Sequence, residues 1–377
     1  MISTVLTSLV TLLPLFLTLS KAHPAPAPQK PKLLVSRDFN DSDIYANWPT
    51  FDQLPLDPSY PTKAAWGVWG ANDELGALNH ITPSTIKAAM AEVQEGTAIN
   101  MNLRLDSPSP PVVPDRPLLV HNIIARAGHQ DDLLVLNTQI STQIDGFRHF
   151  PYQDPDANTS SYRFYNDLIT FDDLFAPEGI DTIGIQNAAQ KVIVGRGVLL
   201  DWAGWMDQKN ETVDTFSNRT ITVDELDECL EWQGMNSSSF RPGDMLILRT
   251  GWTRQYNGLS DFEKDTLPYR PAEEASWVGV EASDRSLAWI WDKKISLVGS
   301  DNPAFEAVPF TGMIGGVPRS LHQIFLGGWG QHIVEHLDLE KLAETAHSLN
   351  RYTFFCSMEA LNVAGGVASP PNAIAIF

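Results

Sequence analysis

Short apolar, β-branched runs alternate with helical periodicities from about residue 83 to 349, and this alternation constrains the fold most. Ile86, Ala89, Met90 and Val93 recur at helical spacing, with Thr82 or Ser84 placed to cap a helix over 83–93. Residues 192–200, β-branched around Gly195 and Gly197, predict a strand. Residues 222–232 predict a helix whose first turn carries Asp224 and Glu225, where acidic charge suits the dipole. The Arg241-Pro-Gly-Asp244 turn launches a short strand from Met245 to Arg249, which Thr250-Gly-Trp252 ends. A helix over 281–291, a strand over 295–298 and a helix over 337–349 follow. Strands and helices alternating in this way predict an α/β protein with a mixed sheet. With no internal repeat and no long Gly/Ser linker, residues 48–377 are expected to form one catalytic-sized domain.

Residues 5–19 form an apolar run too short for a comfortable membrane span. Ser20-Lys21-Ala22 then offers small residues where a signal peptidase needs them, so residues 1–22 are expected to be a cleaved signal peptide. Residues 23–47 follow as a Pro/Ala-rich linker and N-terminal arm. Asn40, Asn158, Asn210, Asn218 and Asn236 each begin an N-glycosylation tripeptide, which agrees with export and nominates exposed stretches. The expectation is a secreted protein with no membrane association after cleavage. Cys229 and Cys356 either pair in the oxidising compartment or remain two buried thiols. A net charge of −20, without a Lys/Arg cluster, argues against nucleic acid and anionic membrane surfaces as partners.

The chemistry concentrates in two places. In an extended chain Gln139, Ser141, Gln143 and Asp145 would share one face, because strand side chains repeat every two residues. Gly146 would then break the strand and swing Arg148 and His149 toward the same site. His149 is the residue type that titrates near neutral pH. The plain alternative is an edge strand with a solvated polar face. The second place holds His322, His332, Glu335 and His336; the first and third could reach one metal from a helix and the following loop. His332 and His336 stand four apart, a spacing that suits one helical face. No G-x-S-x-G elbow, H-E-x-x-H pair, P-loop or G-x-G-x-x-G turn is present.

Several runs carry a family resemblance. They are Trp66 to Asn79, Gln139 to Phe150, Pro242-Gly-Asp244, Arg249-Thr-Gly-Trp252, Ser300 to Glu306, Leu321-His322, Glu335 and Gly365 to Asn372. In that order they resemble the cyclase family that includes bacterial kynurenine formamidase and isatin hydrolase, in its fungal-type branch. The resemblance implies a swivelling β/β/α fold with a mixed, partly closed sheet and surrounding helices. It also implies self-association and metal-dependent hydrolysis of amides. The family motif H-x-G-T-H-x-D-x-P-x-H aligns its Asp with Asp145 and its last His, the acid–base group, with His149. The family's distal ligands align with His322 and Glu335. Its two metal-binding His positions are Gln139 and Gln143 here, its Gly-Thr is Ser141-Thr142 and its Pro is Phe147.

The expected cofactor is therefore a divalent metal: Zn²⁺, or a harder Mn²⁺ or Mg²⁺ where amides replace imidazoles. Asp145, His322, Glu335, Gln139 and Gln143 are the candidate ligands, unless the set reduces to the first three or is lost. The expected activity is hydrolysis of an aryl formamide, a cyclic amide or imide, or a lactone, with His149 as general acid/base and a small-molecule substrate; the plentiful Trp and Phe suit either an aromatic substrate or simply the core. A cyclase, dehydratase or isomerase in the same pocket, or a non-catalytic member, are the competing expectations.

Overall fold

The computed structural model describes residues 45–153, 159–271, 274–310 and 312–377. The expected signal peptide, nearly all of the expected linker and arm, and the tripeptides at Asn40 and Asn158 lie outside the described residues. Nine strands form one curled, mixed sheet. In spatial order they are Ala98–Asn100, Asn372–Ile376, Thr353–Glu359, Val194–Leu200, Met245–Leu248, Leu297–Ser300, His332–Glu335, Gln143–Asp145 and Ala368–Ser369. The four strands from Val194–Leu200 to His332–Glu335 run parallel, and the strands on either flank pair antiparallel.

Alternation along these strands sorts the core into two layers. Val198, Leu200, Leu246, Leu248, Val298 and Ile333 face one cluster, packed by the helices Trp202–Gln208, Val223–Trp232 and Asp284–Asp292. Leu199, Ile247, Leu297, Ile144 and Val334 face the other, under Leu342, Ala343 and Ala346 of the helix Glu340–Leu349. A parallel sheet buried on both faces needs such unbroken apolar runs.

Local chemistry explains several boundaries. Thr82 accepts the Thr85 amide at the start of Pro83–Ala89, with proline at the first turn. Thr222 accepts the Glu225 amide, and the Glu225 carboxylate returns to the Thr222 amide. The helix expected from 281 begins at Asp284, because Ser283 is the residue that caps it. The helix expected from 337 begins at Glu340, after Leu337 has bonded to the Ser300 carbonyl. Cys229 and Cys356 are separate buried thiols, which answers the question of pairing. Asn210, Asn218 and Asn236 are exposed, as their tripeptides suggest. Among the described residues no helix is long and apolar enough to cross a membrane.

Candidate metal centre

The short strand Gln143–Asp145 pairs with His332–Glu335 so that Gln143 lies opposite Glu335 and Asp145 opposite Ile333. Directly opposed residues share a face. Gln143, Asp145 and Glu335 therefore project together into the layer that holds Ile333, while Ile144 and Val334 face the other. His322 approaches from outside the sheet, at the head of the π-helical turn Gln323–Trp329. One ligand atom each from Asp145, His322 and Glu335 lie within 4.8 Å of one another, all three residues buried.

The contacts are specific. His322 Nε2 stands 2.9 Å from Glu335 Oε1 and 3.7 Å from Asp145 Oδ2. Gln143 Nε2 donates to Glu335 Oε2 at 2.5 Å and to Gln139 Oε1 at 2.8 Å. Gln139 Nε2 donates to Asp145 Oδ1 at 2.5 Å. Both ends of the Gln139 amide are thus engaged, and its place is that of a brace on Asp145. By contrast, Asp145 Oδ2 and Gln143 Oε1 are buried without a hydrogen-bond partner. Buried oxygens left unpaired beside a carboxylate and an imidazole are what a divalent cation satisfies, and one nitrogen with several oxygens is a donor set that suits it. The residues fit a metal ion.

Burial alone would depress the His322 imidazole, but Glu306 and then Glu335 outweigh it and hold it well above its ordinary range. Burial and the charge of Asp145 push the Glu335 carboxyl up. His149 is largely buried, and desolvation lowers its imidazole despite the attraction of Asp145. Its Nε2 lies 3.8 Å from Asp145 Oδ2. It is thus a neutral base beside the cluster. Phe150 and the partly exposed Phe310 flank His322, with ring centroids 5.5 and 5.6 Å away.

Other expectations are corrected. The extended run over 139–145 is a strand only from Gln143, and Gln139 reaches the cluster from the turn before it. Ser141 turns away and donates to the Arg104 carbonyl, because the chain is not extended there. Arg148 also leaves the site; its guanidinium donates to the carbonyls of Ile180, Thr182 and Gly365. His332 and His336 share no helix, since His332–Glu335 is a strand. His332 Nδ1 bonds to the Asp145 carbonyl and its ring stacks on Phe147, while burial holds it near 4. His336 lies buried edge-on to Trp252. Glu306, on His322, was assigned no role from sequence; its only signal was membership of the run Ser300 to Glu306.

A curled mixed sheet with a buried carboxylate–imidazole cluster on one flank defines a cyclase-like α/β protein. The family model described as putative cyclase matches residues 57–307, and the chain belongs to that family. His322 and Glu335 lie beyond the matched stretch, so the fold is what brings them to Asp145. Among solved structures, one described as a novel cyclase is 27% identical, covers 83% of this chain and 99% of its own, and has a TM-score of 0.70. Isatin hydrolase A from Ralstonia solanacearum is 17% identical, covers 78% of this chain and 97% of its own, and has a TM-score of 0.51, a likeness of fold. No curated protein matches the chain.

Proposed function

We propose that this protein is a secreted, divalent-metal-dependent hydrolase of an amide, either an aryl formamide or a cyclic amide or imide, or of a lactone. The observation that carries the proposal is the fully buried Asp145 Oδ2, which has no hydrogen-bond partner and faces His322 and Glu335. Asp145, His322 and Glu335 would hold the ion, with the free oxygen of Gln143 available to it and Gln139 bracing Asp145. When bound, such an ion supplies Lewis acidity and a water acidified toward neutrality. His149, neutral at pH 7, accepts the proton of the attacking water and returns it to the leaving nitrogen or oxygen as the acyl bond breaks. Phe150 and Phe310 give an aromatic substrate two apolar rings to lie against. The exposed tripeptides at Asn210, Asn218 and Asn236 support export. We propose further that the chain self-associates.

The test is hydrolysis of aryl formamides, cyclic imides and lactones by metal-loaded protein, beside metal analysis of protein purified without added ions. His149→Ala is expected to lower turnover by about 10²–10⁴-fold while metal content stays unchanged. Unchanged turnover removes His149 from the mechanism. A product of unaltered mass assigns the pocket to isomerisation, one lighter by a water to dehydration, and protein that binds no ion counts against catalysis of this kind.

A further inference from the structure

The loop Ser300-Asp-Asn-Pro-Ala-Phe-Glu306 is tied down far more tightly than a connector needs. Asp301 accepts the Thr250 and Gly251 amides and the Thr250 hydroxyl. Asn302 accepts the Phe305 amide at 3.0 Å and donates to the Val278 carbonyl. Phe305, fully buried, has φ +55°, a left-handed conformation that a bulky residue adopts only under constraint. Gly279 opposes the end of the loop, where a Cβ would come within 2.2 Å of the Glu306 carbonyl carbon. Only glycine permits that approach.

The side chain so placed is Glu306, whose carboxylate is fully buried. Its Oε1 accepts the His322 backbone amide at 3.2 Å, and its Oε2 meets His322 Nδ1 at 3.0 Å. Both oxygens therefore engage one residue. The opposite nitrogen, Nε2, is left facing Glu335 and Asp145.

We propose that Glu306 is the positioning residue of the metal centre: it fixes which nitrogen His322 presents and the angle at which the ring presents it. An unrestrained imidazole can turn either nitrogen toward a ligand. A carboxylate that takes Nδ1–H removes that freedom and makes Nε2 the better donor. The strain at Phe305 and the glycine at 279 are the local cost of placing this carboxylate. The inference rests on the metal centre proposed above.

The test uses Glu306→Gln, which keeps shape and loses charge, and Glu306→Asp, which keeps charge and shortens reach. Mn²⁺ and Zn²⁺ binding to chelator-stripped protein is measured by calorimetry, beside the thermal midpoint of the metal-free protein. Both variants are expected to bind about 10–100-fold more weakly than wild type, a span typical for loss of a ligand's outer partner. Wild-type affinity in a folded variant overturns the inference, since a merely structural role moves the metal-free midpoint and spares affinity. If Glu306→Gln does not fold, Glu306→Asp carries the same two outcomes. A wild type that binds neither ion overturns the metal centre itself, and this inference with it.

Discussion

His80 sits against Tyr45, Trp48 and Trp69, with its Nδ1 2.9 Å from the Tyr45 hydroxyl. Burial, aided by Lys294, holds its imidazole down to about 3. The unfolded chain protonates this residue near 6.5, so between about pH 6.5 and 3 the unfolded state binds one proton more. Stability is therefore lost as pH falls through that window, by about 1.4 kcal/mol per pH unit from this residue alone. His80→Asn should make the acid-side slope of unfolding free energy shallower by about one proton, measured by denaturant titration from pH 4 to 7. An unchanged slope would refute the assignment. At this scale the sequence disclosed residue types more readily than partners. Asp145, His149, His322 and Glu335 stood out because their chemistry is scarce. The difference between Gln139, engaged at both ends by Asp145 and Gln143, and Gln143, with a free oxygen, depends on how the turn before Gln143 folds and on the bond from Gln143 to Glu335, 192 residues away, which no alternation pattern carries.

Among the elements, Gln143–Asp145 is three residues long yet holds one wall of the centre. Gly146 lets it end there: its amide donates to the Val367 carbonyl, and a Cβ would stand 2.5 Å from that oxygen. Gly146→Ala should push the strand from the Ala368–Ser369 edge, lowering the thermal midpoint and weakening metal binding together; a variant with both unchanged would show that the strand is held otherwise. Capped helices such as Val223–Trp232 were legible because their signals are local. His332–Glu335 was not, since four residues are too few to separate a strand from one helical turn, and an i,i+4 histidine pair favours the wrong reading. What decides it is the pairing with Leu297–Ser300 and Gln143–Asp145.

At the scale of the whole molecule, the hairpin Val120–Ala125 with Gln130–Val135 forms a two-stranded sheet of its own among the described residues. Both of its faces carry exposed apolar side chains: Val120, Leu133 and Val135 on one, Ile123 and Leu134 on the other. An isolated hairpin is marginal in water, and exposed apolar surface of this kind is what the proposed self-association would cover. If self-association uses it, Ile123→Asp with Leu134→Asp should lower the mass measured by light scattering and leave the circular dichroism spectrum intact. A wild type that is already monomeric, or a variant of unchanged mass, would exclude the hairpin as the interface.

The pairing of Gln143–Asp145 with His332–Glu335, and of Gly146 with Val367, also sets a clock. During synthesis the N-terminal wall of the centre leaves the ribosome long before its counterpart exists. Until Glu335 has emerged, Asp145 lacks the two distant groups that meet it in the folded chain. If the proposed ion binds, its capture falls to the nearly finished chain, and the compartment in which that chain closes sets which cation it meets first.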